Sequence, residues 1–469
     1  MKTLLVLSAA ALAAAPLHAA IDRSKKPEPA PAPAAAFPDY QEHTLSNGLK
    51  VFIIEDNRKP TLTLRLLIKS GSVFDGPKTG LTGFVASLLN RGTQKRTAAA
   101  FANETDFIGA RLEAAAGPDA ISVSTTGLTK YTEKLLDLMT DAVMNPVFKA
   151  DEFTKQQRQT LSQLSAEKQE SEALANKLSG KVLFGAHPYG AYRTRETVMA
   201  ITPEDLGVFH KAHFLPNNAS LAVVGDIKSA TILPLIEKAF GSWQRGEVMK
   251  AEMPALPKSE GVNVHLVDRP GSVQSNIIVA QQGPPRSGPD LPELNVLNAT
   301  LGGGFSGRLF QNLRERHGWT YGSSSFFDYR KHAGSFEATA ETRNEVTAPA
   351  IGEILNEIRR IRQEPIPAPE LELQRQYNVG NYLLSLENAG RTATRVQDID
   401  LYGLPTDFYK TYAKRMDTVT AEQVQALANK YLNPDNVSVI VVGEAQDVKP
   451  NLEKIGKVFV YDTELKPVQ

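Results

Sequence analysis

An α+β fold built as two homologous halves is the architecture this sequence predicts, and three observations carry the prediction. The stretch "TPEDLGVFHKAHFLPNNASLAVVGD", starting at Thr202, returns without a gap as "TAEQVQALANKYLNPDNVSVIVVGE" at Thr420, an offset of 420 − 202 = 218 residues. Strand-period and helix-period segments are mixed within each half, which argues for layered α+β packing. Between the halves lies "RGEVMKAEMPALPKSEG", residues 245–261, polar and punctuated by Pro, as a linker would be. The expected division is an N-terminal half over 39–245, a linker over 246–261 and a C-terminal half over 262–469.

The chain opens with "MKTLLVLSAAALAAAPLHAA": one Lys, an apolar run and small residues near Ala19 and Ala20. That is the pattern of a cleavable signal over residues 1–20, too short for a membrane anchor, and it predicts export. Residues 21–38, Pro/Ala-rich with a few charges, then read as an extended tether. The chain has no Cys, which excludes disulfides, thiol catalysis, thiolate metal sites and acyl anchoring through Cys. For an exported protein this favours a bacterial periplasm. With 52 basic and 52 acidic residues, no global field recruits nucleic acid, and no membrane-spanning segment is expected after signal cleavage.

"HTLSNGLKVFIIEDN" and "PTLTLRLLIKSGS" alternate as strands, with a hairpin turn at Asn47-Gly48. Helices are expected over 79–91, 97–109, 130–144 and 150–183. Each copy of the repeat starts at a Thr cap, runs as a helix, breaks at a Pro/Asn turn and enters a β-branched strand ending in Gly. The second half should have strands near 263–268, 274–281 and 320–340. Its helices should lie near 291–301, 306–316, 347–363 and 367–387.

These segments, together with "SGSVFDGPKTGLTGFVASLLNRGTQKRT", "HPYG" at 187–190 and "LGGGFSGRLFQNLRERHGWTYG", resemble the M16 peptidases, the family of pitrilysin, insulysin and the mitochondrial processing peptidase. The resemblance runs in order from about residue 39 to 460. It implies two domains of the mitochondrial-processing-peptidase-like metallohydrolase fold, which with a partner enclose a peptide chamber. In active members, the helix after "GL" carries His-x-x-Glu-His: two His on one helical face hold zinc, and the Glu acts as base toward zinc-bound water. A Glu on a later helix is the third ligand. In "GLTGFVAS" the matching positions are Gly83, Ala86 and Ser87, and the later Glu falls at Gln163. By this resemblance the chain binds no cofactor itself.

The family's other functional pair is kept. After the glycine run Gly302, Gly303, Gly304 and then Phe305, the resemblance matches Arg314 and Tyr321 to an Arg and Tyr that reach across to the zinc site. Arg is a permanent bidentate cation and a Tyr O–H can hydrogen-bond an oxyanion, so both suit charge made elsewhere. The glycine run fits close backbone approach to a ligand, so Gly302 to Phe305 are the candidate substrate-binding residues. The run lacks the Lys-Ser/Thr ending of a phosphate loop. The strand of "ERHGWTYGSSSFFDY" offers an edge to which an extended peptide could add. His210 and His213 in "FHKAH" have a metal-like spacing but sit in an ordinary family helix with no third ligand. His187 and His317 lie in loop segments with no case for ligation.

The resemblance thus implies a non-catalytic subunit of a periplasmic heterodimer or heterotetramer, lending Arg314 and Tyr321 to a zinc-motif M16 homologue that acts on short or unfolded peptides. Two other classes remain open on the same residues. One is a peptide-binding or chaperone-like homodimer without hydrolysis. The other is a purely structural core subunit.

Overall fold

The first hairpin closes through Asn47 and Gly48: Gly48 adopts φ 87°, and the Asn47 side-chain amide donates to the Phe240 carbonyl at 2.8 Å. Only a residue tolerant of positive φ fits that turn. The computed structural model describes residues 36–468. The expected signal segment and residues 21–35 of the expected tether lie outside them.

The first half runs β1 (Gln41–Thr44), β2 (Lys50–Glu55), β3 (Thr61–Ile68), α1 (Leu81–Leu88), α2 (Ala98–Phe107), β4 (Arg111–Ala116), β5 (Ile121–Leu128) and α3 (Thr132–Met144). It continues through α4 (Ala150–Glu167), α5 (Ser171–Phe184), α6 (Arg195–Met199), α7 (Pro203–His213), β6 (Ala219–Gly225) and α8 (Ser229–Phe240). After a segment without helix or strand come β7 (Asn263–Asp268), β8 (Gln274–Gly283), α9 (Leu291–Leu301), α10 (Arg308–Phe310), β9 (Ser323–Asp328) and β10 (Gly334–Arg343). The chain ends with α11 (Thr347–Gln363), α12 (Ala368–Ser385), α13 (Ala389–Tyr402), α14 (Phe408–Asp417), α15 (Ala421–Tyr431), β11 (Ser438–Gly443), α16 (Ala445–Leu452) and β12 (Lys457–Tyr461).

Each half forms a six-stranded sheet, ordered β1-β2-β6-β3-β5-β4 and β12-β7-β11-β8-β10-β9. The two orders superpose, except that the outer strand beside β2 is supplied by the chain before it and runs antiparallel, whereas the strand beside β7 comes from the C-terminus and runs parallel. The repeat is therefore structural well beyond its sequence match: α12, α13 and α15 each start 218 residues after α4, α5 and α7 (368 − 150 = 389 − 171 = 421 − 203 = 218). Thr202 and Thr420 both cap through reciprocal capping boxes, with Asp205 and Gln423. Each cap supplies about 1 kcal/mol. Both repeat strands end in Gly: at Gly225, φ 151°, a Cβ would lie 2.2 Å from the Thr61 carbonyl oxygen, a backbone clash, and at Gly443 it would lie 2.4 Å from the Ser275 side-chain Oγ.

Residues 150–183 are not the one helix expected. The chain breaks at 168–170, and the break redirects α5 onto the sheet of the other half, where Leu174, Leu178 and Phe184 bury against Val267, Ile278 and Ile440. Its counterpart α13 makes the reciprocal crossing onto β6 and β3. Each central strand is thereby covered on both faces, which explains why β6 and β11 are buried at every residue. β4 and β5 were not expected from the sequence. "RLEAAA" carries Ala, a helix former, and becomes strand because it pairs with the alternating "ISVSTTGL".

Candidate functional site

Helix α1 begins at Gly80 in a left-handed conformation, and Gly80 has no capping side chain. Asp75 does that work from five residues upstream: its carboxylate accepts from the Gly80 N–H at 2.7 Å and the Thr82 N–H at 2.8 Å, and Thr82 Oγ1 also donates to it. An anion there satisfies orphan donors and complements the helix dipole. Burial pushes the Asp75 carboxyl above its ordinary pKa, against those hydrogen bonds. "VFDGPKTGLTG" is thus a built launch for α1, a role sequence reasoning missed because the cap is not adjacent to the helix.

The turn so launched presents no metal ligand. Gly83 has no side chain, and the space a Cβ would enter is open. Ala86 is buried in the core of the first sheet. The Ser87 hydroxyl donates to the Phe84 carbonyl at 3.1 Å. Helix α4 packs on α1 through Phe153 against Phe84, at 5.5 Å between ring centroids, and turns Phe153, Thr160 and Leu164 inward. Gln163 is exposed on the outer face. Methyl, hydroxyl and carboxamide do not fit the donor set zinc requires, and among the described residues no group of three or more His, Asp or Glu is placed to hold a metal ion.

The two His of "FHKAH" have separate structural partners. His210 Nε2 lies 2.7 Å from the Val143 carbonyl, and its ring stacks on Phe214. His213 Nδ1 lies 3.1 Å from Ser70 Oγ, with its ring between Phe74 and Phe209. Burial holds the His213 imidazole down at about 4. Its folded pKa lies below the unfolded value near 6.5, so its contribution to stability is complete above that value and is lost as pH falls toward 4. Urea midpoints measured from pH 7 to 4 should fall less steeply for His213→Gln than for the parent. Parallel curves would rule this out.

In the second half, α9 delivers the glycine loop. A Cβ on Gly302 would sit 2.5 Å from the Ser325 nitrogen, and one on Gly303 would sit 2.7 Å from Ala299 Cα. Close backbone approach at these two glycines is therefore to the chain itself, where ligand approach was expected. Gly304 is the open one, facing the Tyr377 hydroxyl. Phe305 follows, 77 % exposed, with its ring set edge-on to Phe310 at 5.0 Å.

Helix α10 continues as a π-turn over Gln311–Arg316, where the expectation was plain helix. The His317 N–H reaches the Asn312 carbonyl five residues back. Asn312, buried in this turn, anchors it by donating to Glu353 and Glu357 of α11 at 2.8 and 2.7 Å. Arg314 then projects outward. Its guanidinium rests 4.8 Å above the Phe310 ring, its side chain is 44 % exposed, and the nearest carboxylate, on Glu315, is 3.8 Å away. Tyr321, in the segment before β9, is 90 % exposed. Arg314 and Tyr321 are both presented to solvent, and neither is part of the core. His317 stacks on Trp319 at 4.1 Å, and buried His187 accepts from the Tyr189 N–H through Nδ1.

Strand β9 is an edge strand, as expected, and its side chains alternate. At its centre, however, the Ser325 N–H bonds the Gly302 carbonyl and the Ser325 carbonyl accepts from Asn298. The edge is capped there by the loop, so an added strand could not run its full length.

Two family models match the chain, and the second begins inside the first structural half and runs across the linker into the second half. Residues 50–191 match the family model described as insulinase (peptidase family M16), and residues 200–378 match that described as peptidase M16 inactive domain. The chain belongs to peptidase family M16. Its M16 relatives include an uncharacterized zinc protease of Mycobacterium leprae, 26 % identical, with 83 % of this chain and 88 % of the relative covered. Another, from Bacillus subtilis, is 22 % identical over 86 % and 98 % of the two chains. Among solved structures, a peptidase M16 inactive domain from Pseudomonas fluorescens superposes with a TM-score of 0.81 at 27 % identity, covering 86 % of this chain and 98 % of that one. A protease from Helicobacter pylori shares the fold, also at 0.81, with 20 % identity over 86 % and 99 %. The relatives are named as zinc proteases, whereas this chain has Gly83, Ala86, Ser87 and Gln163 where the sequence resemblance would put the zinc motif.

Proposed function

We propose that this chain is the non-catalytic subunit of a periplasmic M16 peptidase and lends Arg314 and Tyr321 to a zinc-bearing M16 partner, as a heterodimer or heterotetramer. One observation carries the reading. The four positions that would hold and use the metal have no ligating side chain, while the Arg and Tyr that would act on a partner's substrate are kept and exposed. A guanidinium with only a 3.8 Å carboxylate neighbour is free to meet a peptide carbonyl or carboxylate in bidentate fashion. A phenol in solvent can hydrogen-bond an oxyanion that develops in the partner's site. Short or unfolded peptides are the substrate class. The signal-like pattern of residues 1–20 supports the periplasm as the compartment.

The test is reconstitution. Mature chain alone, a zinc-motif homologue from the same cell alone, and their mixture are assayed on a quenched fluorescent peptide with zinc. Turnover should appear only in the mixture and vanish with chelator. A mixture no faster than the homologue by itself would defeat the proposal.

A further inference from the structure

The repeat provides an internal control for every surface of this protein. Helices α4 and α12 have the same length, start 218 residues apart and bury matching positions, with Phe153 and Leu164 on one corresponding to Leu371 and Tyr382 on the other. Their exposed faces should be interchangeable as far as the fold is concerned. They are not alike. Where α4 exposes Lys155, Gln159 and Ala166, α12 exposes Leu373, Tyr377 and Leu384, the last 72 % exposed. These three lie at i, i+4 and i+11, on one side of the helix. The fold does not require an apolar face here, since the other copy does without one.

That face is continuous with the candidate site. Arg308 of α10 makes a bidentate ion pair with Glu370 of α12 at 2.8 and 3.0 Å, and Gln374 donates to Ser306 at 3.2 Å. Gly304 abuts Tyr377, Phe305 packs on Phe310, and Arg314 lies over the same Phe310 ring. A track therefore runs from the Arg314 cation past the Phe305 ring and along Tyr377 to Leu384. From Leu373 to Leu384 the helix rises about 16 Å, which matches roughly five residues of extended peptide.

We propose that this track is a peptide-binding subsite: α12 takes bulky apolar side chains of an extended peptide whose carboxylate or acidic residue meets Arg314. A cation without a close carboxylate at one end and an apolar face one helix wide and about 16 Å long match an extended peptide with one anionic group better than the broad surface of a folded partner. The proposal rests on the reading of Arg314 given above and adds to it the substrate class, peptides rich in large apolar residues.

The test replaces the face of α12 with that of α4, as Leu373→Lys, Tyr377→Gln and Leu384→Ala in the full mature chain. Because α4 already carries these residues on an equivalent helix, the variant should keep its thermal transition, read by circular dichroism. Fluorescence anisotropy then measures binding, without any partner, of a labelled decapeptide containing Leu and Phe and a free C-terminal carboxylate, against a Ser/Gly decapeptide of equal charge. The parent should prefer the apolar peptide, and the variant should lose tenfold or more of that affinity. Equal affinity in parent and variant would overturn the proposal. So would a variant whose only change, by sedimentation, is loss of self-association or of pairing with a zinc-motif homologue, since the face would then be a protein interface. Failure of the peptide test leaves the reconstitution result standing, and because peptide binding is read on this chain alone, the failure of one reading is distinguishable from the failure of the other.

Discussion

Arg314→Ala should lower the turnover number of the reconstituted complex by about a hundredfold while leaving the stability of the chain unchanged. The size follows from removing one preorganised donor to developing negative charge in a desolvated site, which costs about two to three orders of magnitude in rate. Surface substitutions away from buried features change stability by about 0.5 kcal/mol or less. The guanidinium has only the 3.8 Å neighbour Glu315 and its contact with the Phe310 ring to lose, so a loss of rate at unchanged stability does not come from unfolding. Lys at 314 should recover only part of it, because an ammonium cannot reproduce the planar two-point contact. Tyr321→Phe should cost less, roughly tenfold, since it removes one hydroxyl and keeps the ring. If the pair acts on one developing charge, the double variant should be little worse than Arg314→Ala. Stopped-assay kcat and KM for the four mixtures decide it. Wild-type turnover in Arg314→Ala would show that this chain contributes structure only, the core-subunit alternative.

How much of this was legible in the sequence depends on whether the signal was local. The two-half α+β plan was, because a helix-turn-strand unit repeated at a fixed spacing, each copy with its own Thr cap and terminal Gly. The match of Gly83, Ala86, Ser87 and Gln163 to the family's zinc motif is a reading of sequence spacing, and the structure adds that Gly83, Ala86 and Ser87 lie on α1 and Gln163 on the exposed face of α4. What escaped was non-local. The break at 168–170 contains no Gly or Pro, and the crossing of α5 to the opposite sheet is decided by burial partners more than 80 residues away. Asp75 escaped because it caps a helix it does not touch in sequence. The apolar face of α12 had a signal that periodicity alone discards, since Leu373, Tyr377 and Leu384 pass for core residues until α4 shows which side of that helix faces out. Gly302 and Gly303 pack closely against Ser325 and Ala299, a demand for glycine that the sequence does not distinguish from room for a ligand.

The exchange of α5 and α13 makes a second strong prediction, that the halves unfold together and that one buried amide holds them. Gln397 of α13 is fully buried against the sheet of the other half. Its Nε2 donates to the Arg65 carbonyl at 2.9 Å and the Ser220 carbonyl at 2.8 Å, and its Oε1 accepts from Arg65 Nη1. Burial lowers the pKa of that guanidinium, which raises the worth of each partner it has. Gln397→Leu is similar in size but removes the amide hydrogen bonds to two carbonyls of the sheet and the amide oxygen that accepts from the Arg65 guanidinium. At about 1 kcal/mol for each of the two neutral hydrogen bonds and about 2 kcal/mol for the one to the guanidinium, the loss should be about 4 kcal/mol. In urea this should appear as a lower midpoint with an unchanged slope, because the same surface is exposed on unfolding. Because α13 belongs by sequence to one half and by packing to the other, the transition should stay single. Two separated transitions, with only one displaced by the substitution, would mean that the halves fold independently and that the helix exchange does not couple them.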